Sequence, residues 1–559
     1  MSGEREPLSD MKRHDPWPTE DPSGTTRRTF LGGLGGLTAA SLTMGSAGTA
    51  ALLSPAGAEA AEIGPEGARQ RRNTAFWIRH QMALYQKNLP LPSHPTNGDE
   101  ERYADHLASF SKALPHDGLG IVDPDAYRAL IRAGSSGNPA DHEAVPLGGT
   151  AKLANPQAAY AFELEGADSH HLAIAAPPAF ASKDQAGDMA EVYWQALTRD
   201  VSFEDYGSNP LIWAAVADLS RFPRFAGVSP ATIFRGETPG DAVGPYISQF
   251  LWKPIPYGAT TIMQRYRTTL AGDDHMTDYA TWLSIQRGLP PASGNVFDPT
   301  PRYLRNGRDL AEWVHRDFTC MGFLDAALIL LGFGGGTLDA ANPYLASATQ
   351  GGFITFGAPH ILDFVTRMAN AALKAAWFQK WLLHRKLRPE AFGGRIHNHL
   401  TRAATFPLHP MILNSPALTE IFERHGTYLL PMAYPEGSPA HPAYPAGHAT
   451  ISGACTTVLK AFFDESAPIP SPVVPDATGT ALLPYAGPGL TIGGELNKLA
   501  ANISLGRDTA GVHYRADGIQ GLLLGEELTI RFLTDFFATY NESFGGFSLT
   551  KFDGTTVTV

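Results

Sequence analysis

Residues 441–453, HPAYPAGHATISG, join a rigid turn directly to the start of a helix. Proline sets the turn, and the residues from Ala449 to Phe463 continue at helical spacing. Gly447 lets a backbone N–H approach a ligand closely, and the positive end of the following helix points at the same place. The stretch therefore predicts an anion-binding turn. A structural turn with two surface histidines is the alternative interpretation.

A second basic stretch, KWLLHRKLRPE, occupies residues 380–390. Because Lys380, His384 and Arg388 are spaced four residues apart, they predict a cationic stripe on one helix face, and Pro389 is predicted to end that helix. Like charges at this spacing repel each other unless an anion lies between them. A solvated basic face is the simpler interpretation, but the tryptophan, phenylalanine and leucine residues around the same helix favour inward-pointing cations.

The third stretch, GRDTAGVHYRAD at 506–517, places a cation near another histidine. Arg507 can offer a planar fork of donors to an oxyanion. His513, predicted in the first turn of the next helix, can present an imidazole nitrogen to a metal or phosphorus centre. Asp517 is predicted either to orient this histidine or to pair with a nearby arginine. A lone histidine here would more often be structural.

Helical periodicity dominates the rest of the chain, whereas strand-like alternation is rare. The predicted helices run from Arg71 onward, then over Asp188–Arg199, Asp309–Leu331, His360–Leu387, Ala449–Phe463, Leu496–Ser504 and Val512–Tyr540. Long loops are expected at 430–445 and 467–489. Asp553-Gly554 lies between two short alternating runs and predicts a C-terminal β-hairpin with a type I′ turn. We therefore expect a mainly α fold of packed helical bundles, with a boundary near residue 300.

The first residues look like an export signal rather than part of the fold. Arg27-Arg28 precede a Gly/Ala/Leu-rich stretch and small-residue cleavage-like sites, which predicts a twin-arginine signal and linker over 1–62, followed by helical regions at 63–300 and 301–559. An uncleaved signal anchor is the alternative. No other membrane span is expected, so the mature protein is predicted to be secreted or periplasmic.

Charge and cysteine content exclude several other classes of protein. The formal net charge of −12 argues against a nucleic-acid partner, since binding to phosphate backbones needs a basic face. Cys320 and Cys455 are too few for a disulfide scaffold and too far apart for a zinc motif. Two buried free thiols are expected, although one disulfide is compatible with the sequence.

Taken together, the three stretches resemble the signature of the vanadium-dependent haloperoxidases and the related type 2 phosphatidic acid phosphatases. That signature is a lysine followed by Arg-Pro, then Pro-Ser-Gly-His, then an arginine six residues before a histidine. The spacing of eight from Lys380 to Arg388, together with residues 441–445, is similar to the red-algal and cyanobacterial bromoperoxidase branch. The likeness continues through 111–127, 189–203 and 341–380, and it implies two helical bundles with the site in the C-terminal half.

The resemblance also implies a role for each motif residue. Vanadate would be bound by an axial ligand, His513, while its oxygens contact Lys380, Arg388, Arg507 and the Gly447 N–H. His448 would act as the acid/base group, Lys380 would polarise the peroxide substrate, and His441 would mark bromide and iodide as the halides. Hydrogen peroxide, halide and small organic acceptors are the implied partners. A large homo-oligomer and a structural calcium with unidentified ligands are also implied.

One position departs from the family pattern. Ala446 stands where the family has a serine whose hydroxyl contacts a vanadate oxygen, and losing that donor costs about 1–3 kcal/mol. Two other functions therefore stay open. One is a phosphomonoester hydrolase with His513 as nucleophile and His448 as leaving-group acid, because vanadate and phosphate fit the same cradle. The other is a secreted anion-binding protein that has lost efficient chemistry.

Overall fold

Helices are the main regular structure of residues 67–559, the part of the chain described by this computed structural model. In chain order, the α-helices of this part are α1 Ala68–Asn88, α2 Asp99–Arg102, α3 Pro124–Ser136, α4 Pro139–Glu143, α5 Lys183–Thr198, α6 Pro210–Leu219, α7 Tyr279–Gln286, α8 Gly307–Arg316, α9 Met321–Gly332, α10 Ala358–Phe378, α11 Pro389–Leu400, α12 Pro410–Leu413, α13 Pro416–His425, α14 Gly447–Phe462, α15 Ile492–Thr509 and α16 Arg515–Phe537. The predicted mainly α fold is confirmed.

Strands within residues 67–559 form three antiparallel two-stranded hairpins. They pair β1 Ile255–Tyr257 with β2 Thr260–Ile262, β3 Val473–Pro475 with β4 Leu482–Pro484, and β5 Ser548–Thr550 with β6 Thr556–Thr558. The predicted loop at 467–489 is therefore wrong in part, because it contains β3 and β4. The C-terminal hairpin is confirmed.

The turn of the C-terminal hairpin differs from the predicted type I′ turn. A type I′ turn needs positive φ at both central residues, and only Gly554 of the predicted pair has it, at 81°. The Gly554 N–H donates to the Lys551 carbonyl at 3.0 Å, so the tight turn begins before Asp553. The turn therefore spans Lys551 to Gly554 and is not centred on Asp553-Gly554, so the predicted type I′ turn is wrong.

The chain divides into two compact units, one ending at Leu89 and the other spanning Pro90–Val559. Two large hydrophobic clusters form the core of the second unit. One contains Phe364, Leu459 and Phe532 from α10, α14 and α16, and the other includes Tyr193 and Phe392 from α5 and α11. Both clusters also include residues from either side of position 300, and the boundary predicted there stays a prediction.

Side-chain caps explain why two helices are longer than predicted. α5 begins at Lys183 because the Ser182 side chain accepts a hydrogen bond from the Gln185 N–H at 3.1 Å. α15 begins at Ile492 because Thr491 accepts from the Gly494 N–H at 3.2 Å. α15 then continues to Thr509, which places Arg507 in its last turn.

The predicted helix over Asp309–Leu331 is wrong, because the structure has two helices there. α8 ends at Arg316, Asp317 is extended with φ −64° and ψ 147°, and α9 begins at Met321. Neither glycine nor proline occupies this break, so composition did not mark it. The break leaves the Asp317 side chain free to contact α14.

The predicted export signal at 1–62 lies outside the described residues. Within residues 67–559, no helix is both long and apolar enough to cross a membrane. Cys320 and Cys455 are free thiols, as expected. Cys455 is buried as predicted, whereas Cys320 is only half-buried, so the predicted burial is wrong for Cys320.

Candidate active site

The three motif stretches meet where several helix ends converge in the second unit. Arg388 connects them directly, because its guanidinium donates to His513 Nε2 at 3.0 Å and to His441 Nδ1 at 2.9 Å. Lys380 joins the same group by donating to the Pro442 and Ala443 carbonyls at 2.7 and 2.9 Å. All four side chains are buried. The convergence predicted from sequence is therefore present.

Lys380 lies in a π-helical turn, Gln379–His384, that directly follows α10. A π turn shifts the side chains around the helix axis, so the four-residue spacing no longer describes one face. The chain then leaves the helix at Arg385, whose φ is +36°. The predicted continuous helix to Leu387 is wrong.

The predicted role of Pro389 is also wrong, because this proline begins a helix instead of ending one. It is the first residue of α11, with Arg388 as the N-cap in an extended conformation. Proline suits this position, since its fixed φ matches a helix and its missing N–H is not needed there. The turn between the two helices directs Arg388 inward, where 1% of its surface is exposed.

His384 does not join Lys380 and Arg388 in a cationic stripe. Its Nε2 lies 3.1 Å from Gln379 Oε1, and its ring packs edge-to-face against Tyr444. Burial and nearby cationic side chains lower the pKa of His384 to about 3. The residue is therefore a neutral packing group.

Arg507 approaches the same centre from the end of α15. Its Nη1 donates to the Val314 carbonyl at 2.8 Å and lies 3.3 Å from the Tyr434 hydroxyl. Its Nε is buried and has no hydrogen-bond partner among the described residues. A buried donor without a partner is costly, so this N–H is available to a ligand.

Lys380, Arg388 and Arg507 share an unusual property: all three are buried, yet none forms an ion pair with a carboxylate in the described chain. Burial, with Arg388 beside it, holds the pKa of Lys380 well below its usual value. The pKa of Arg388 is lowered to about 9, mainly by burial. Such a cluster attracts an oxyanion, whose charge would compensate all three cations.

His513 supplies a nitrogen to this cationic cluster. Its Nδ1 lies 3.0 Å from Asp517 Oδ2, which fixes the ring and leaves Nε2 as the acceptor facing Arg388. Burial and the nearby Arg388 and Lys380 cations hold the pKa of His513 well below its usual value. The ring therefore stays neutral and can offer a lone pair to an electrophilic centre.

The predicted position of His513 in the first turn of a helix is wrong. α16 begins at Arg515, with Tyr514 as its N-cap, so His513 precedes the helix. The Gly511 φ of +86° ends the previous turn and reverses the chain. Asp517 lies in the first turn of α16 and orients His513, which confirms one of its two predicted roles.

The start of α14 lies next to this cluster, because the Ala446 N–H donates to the Asp517 carbonyl at 2.9 Å. Ala446 is the N-cap and offers no side-chain hydrogen bond to the helix. The N–H groups of Gly447 and His448 have no acceptor among residues 67–559. A Cβ on Gly447 would lie 3.4 Å from Trp377 and 3.5 Å from Leu373, so the surrounding protein alone does not require glycine. An anion approaching the N–H gives a reason for glycine.

Two more histidines border the cluster with different surroundings. His448 Nε2 lies 3.0 Å from Asp317 Oδ1, and 30% of its side chain is exposed, so this ring connects the site with solvent. His441 is buried, and its ring packs against Trp377 with centroids 4.8 Å apart. Burial and the adjacent Arg388 hold the pKa of His441 well below its usual value. Only His448 is placed to exchange protons with water.

Comparison with known proteins gives a consistent result. A family described as the VCPO second helical-bundle domain matches residues 423–540. The vanadium-dependent bromoperoxidase of Ascophyllum nodosum is 39% identical over 474 residues, covering 78% of this chain and 84% of that protein. The one from Corallina pilulifera is 34% identical and covers 89% of this chain and 100% of that protein. This chain belongs to the vanadium-dependent bromoperoxidase family.

The likeness to this bromoperoxidase family extends to the fold. The structure of the homohexameric second vanadate-dependent bromoperoxidase from Ascophyllum nodosum superposes with a TM-score of 0.85. It is 32% identical in sequence, and the superposition covers 91% of this chain and 94% of that one. The bromoperoxidase fold therefore includes both the motif stretches and the helices that carry them.

Sequence reasoning missed several residues of this candidate site. Asp317 contacts His448, Trp377 packs on His441, Tyr434 contacts Arg507, and Lys386 pairs with Asp517 at 3.1 Å. Two of these residues could have been found from sequence, because Lys386 belongs to the basic stretch and Trp377 lies one helical turn before Lys380. No sequence pattern marked Asp317 or Tyr434.

Proposed function

We propose that this protein is a vanadate-dependent haloperoxidase that oxidises bromide with hydrogen peroxide. The observation that carries the proposal is the group formed by Lys380, Arg388 and Arg507, three buried cations without carboxylate partners around the neutral His513. The named relatives are bromoperoxidases, and none of the comparisons favours a phosphomonoester hydrolase.

The residues of the site fit vanadate in number and in chemistry. Three cations balance an anion that carries several negative oxygens, and the unpartnered Arg507 Nε and Gly447 N–H add donors. His513 Nε2 offers a lone pair for the metal. Lys380, Arg388, Arg507, Gly447 and His513 would hold the group. Bound vanadate would supply the Lewis acid that activates hydrogen peroxide towards halide.

The protein's own part in the reaction is charge stabilisation and proton transfer. The cations lie where negative oxygens gather, and their burial strengthens the attraction because little water screens it. His448 can take a proton from peroxide and return one to the product, since its ring is the one exposed to solvent. Asp317 holds that ring in place.

The expected halide and acceptor follow from the family resemblance. His441 makes bromide and iodide the expected halides, and small organic molecules the expected acceptors of the oxidised halogen. The protein is also expected to assemble as a homo-oligomer, since the similar Ascophyllum nodosum protein is a homohexamer.

Two further proposals concern location and calcium. Arg27-Arg28 support export by the twin-arginine route to an extracytoplasmic space. A structural calcium stays a prediction, and within residues 67–559 no cluster of three or more His, Cys, Asp or Glu side chains suits a metal. The alternative of an anion-binding protein without efficient chemistry depends on Ala446.

The test is reconstitution of the purified protein with orthovanadate. Bromination of a dimedone-type indicator should require vanadate, peroxide and bromide together, and it should be lost in His513→Ala. His360→Ala is the matched control, because it removes another buried histidine outside the three stretches. Stoichiometric vanadate binding without bromination would support the anion-binding alternative. Vanadate-free release of phosphate from a phosphomonoester would support the hydrolase.

A further inference from the structure

Lys386 is a buried cation that the proposed reaction does not use. Its side chain is 6% exposed, and its Nζ lies 3.1 Å from Asp517 Oδ1. The ammonium group also lies over the Tyr514 ring, 4.2 Å from the centroid. A lysine held between a carboxylate and an aromatic face has one well-defined position.

Asp517 uses its two oxygens differently. Oδ2 is 3.0 Å from His513 Nδ1 and accepts the Tyr514 N–H at 3.2 Å. Oδ1 has one hydrogen-bond partner among residues 67–559, and that partner is Lys386. Lys386 therefore opposes rotation of the carboxylate away from His513.

The backbone of Lys386 is fixed to the same site. Its carbonyl accepts the Ala443 N–H at 3.0 Å, next to the carbonyls that bind Lys380. The positive φ of Arg385 turns the chain immediately before it, and Arg385 itself points to Glu100 at 2.7 Å. The turn thus separates two adjacent cations, sending Lys386 towards Asp517 and Arg385 away from it.

We infer that Lys386 is a positioning residue for the vanadate ligand. It holds Asp517, which holds His513 Nδ1 and thereby aims Nε2 at the cluster formed by Lys380, Arg388 and Arg507. The inference rests on the proposed function of that cluster. Removing the direct hydrogen-bond partner of a metal-bound histidine, here Asp517, typically changes metal affinity by about 10- to 100-fold.

The experiment compares Lys386→Met with Lys498→Met. Lys498 is also buried and paired with a carboxylate, Glu495, but neither residue contacts the site. Vanadate affinity of the unliganded full-length protein is measured by calorimetry, and thermal midpoints are measured on the same samples. We expect weaker binding in Lys386→Met, by no more than the about 10- to 100-fold expected for loss of Asp517 itself, and no change in affinity in Lys498→Met. Both variants should lower the midpoint.

A double-mutant cycle separates positioning from general packing. If Lys386 acts through Asp517, vanadate affinity in the double variant Lys386→Met/Asp517→Asn should equal that of Asp517→Asn alone. The ⁵¹V NMR signal of bound vanadate should shift in Lys386→Met and keep its wild-type position in Lys498→Met. Should Lys386→Met fail to fold, Lys386→Gln replaces it, because its shorter neutral side chain does not reach Asp517.

The outcomes distinguish this inference from the proposed function. Wild-type affinity and an unshifted signal in the Lys386 variant overturn the inference alone. Equal losses of affinity in the Lys386 and Lys498 variants also overturn it, because stability would then explain both. A wild-type protein that binds no vanadate overturns the proposed function first.

Discussion

Two sets of buried cations in this protein differ in whether a carboxylate compensates their charge. Arg515 is buried and pairs with the Glu191 carboxylate through its Nε at 2.9 Å, and Lys498 pairs with Glu495. Lys380 and Arg388, equally buried, contact carbonyls and histidines but form no ion pair in the described chain. The first set is complete within the protein, whereas the second set lacks a counter-charge.

The difference is visible in the protonation of the two arginines. Pairing with Glu191 outweighs the effect of burial and raises the pKa of Arg515, whereas burial lowers the pKa of Arg388 to about 9. Arg388 still carries its proton at neutral pH, so the folded protein keeps a buried positive charge with its desolvation penalty. Arg395 is also buried without an ion pair and is bound by backbone carbonyls, so one uncompensated cation is not enough. The comparison teaches that a cluster of uncompensated buried cations around a neutral histidine indicates a binding site for an anion.

The largest expected effect tests the compensated set. Glu191→Gln leaves Arg515 with the Arg235 carbonyl and the distant, exposed Glu237, so we expect a loss of about 3–5 kcal/mol in the free energy of unfolding. Denaturant titration measures the loss, and Glu204→Gln at an exposed position is the control. Vanadate affinity should not change. A loss similar to that of the control would break the comparison.

Lys380→Met tests the uncompensated set. It should lower activity strongly and stability little, the opposite of what is expected for Glu191→Gln. The vanadate-loaded variant should brominate about 10²- to 10³-fold more slowly, because one charged donor to the anion is lost. The free energy of unfolding of the unliganded protein should change by less than about 1 kcal/mol, since two hydrogen bonds are lost together with an uncompensated charge. Lys374→Met, earlier on the same helix and paired with Glu163, is the control. Strong destabilisation of the unliganded Lys380→Met protein would contradict the comparison.

Asp325 extends the comparison to a half-buried carboxylate, whose charge can be removed by protonation. Burial raises its pKa to about 7, above the unfolded value of 3.8. The folded protein therefore holds a proton that the unfolded chain loses, and stability falls as pH rises from about 4 to 7. Asp325→Asn removes this effect.

The measurement for Asp325 is denaturant unfolding of both proteins across the pH range. Asp325→Asn should be more stable than wild type by about 2 kcal/mol at pH 9, after allowing for solvent screening, and equal to it below pH 4. A difference that does not depend on pH would show that folding leaves the pKa of Asp325 at its unfolded value of 3.8.

The sequence predicted which motif residues come together better than how they are arranged. Lys380, Arg388, Gly447, Arg507 and His513 were identified because their residue types and spacing match a family signature, and the structure brings them together. Spacing assumes regular helices, and it failed where a π turn and the positive φ of a non-glycine residue redirected the chain. Neither feature has a compositional marker.

Contacts between residues that are far apart in the chain could also not be predicted from the sequence. Asp317 contacts His448 across 131 positions, and Tyr434 contacts Arg507 across 73. Such pairs depend on how helices pack, which periodicity within one helix does not encode. The mainly α fold was predictable for the opposite reason, because helical periodicity is local.

The smallest expected effect concerns Ala446, the N-cap of α14. Ala446→Ser adds a hydroxyl that can serve either the helix or the bound anion. As a helix cap it should raise the free energy of unfolding of the unliganded protein by about 1 kcal/mol. As a donor to vanadate it should tighten binding by about tenfold, equivalent to about 1.4 kcal/mol.

Two measurements on Ala446→Ser separate these uses of the hydroxyl. Denaturant unfolding without vanadate reports the cap, and calorimetric titration with vanadate reports the donor, each measured against the wild-type alanine. Higher affinity with faster bromination would show that the natural alanine limits an otherwise complete cation site. Higher affinity without bromination would instead favour an anion-binding protein. Greater stability with unchanged affinity would mean that the hydroxyl only caps the helix. Vanadate affinity would then depend on the uncompensated cations and not on a donor at position 446, as the comparison between compensated and uncompensated charges implies.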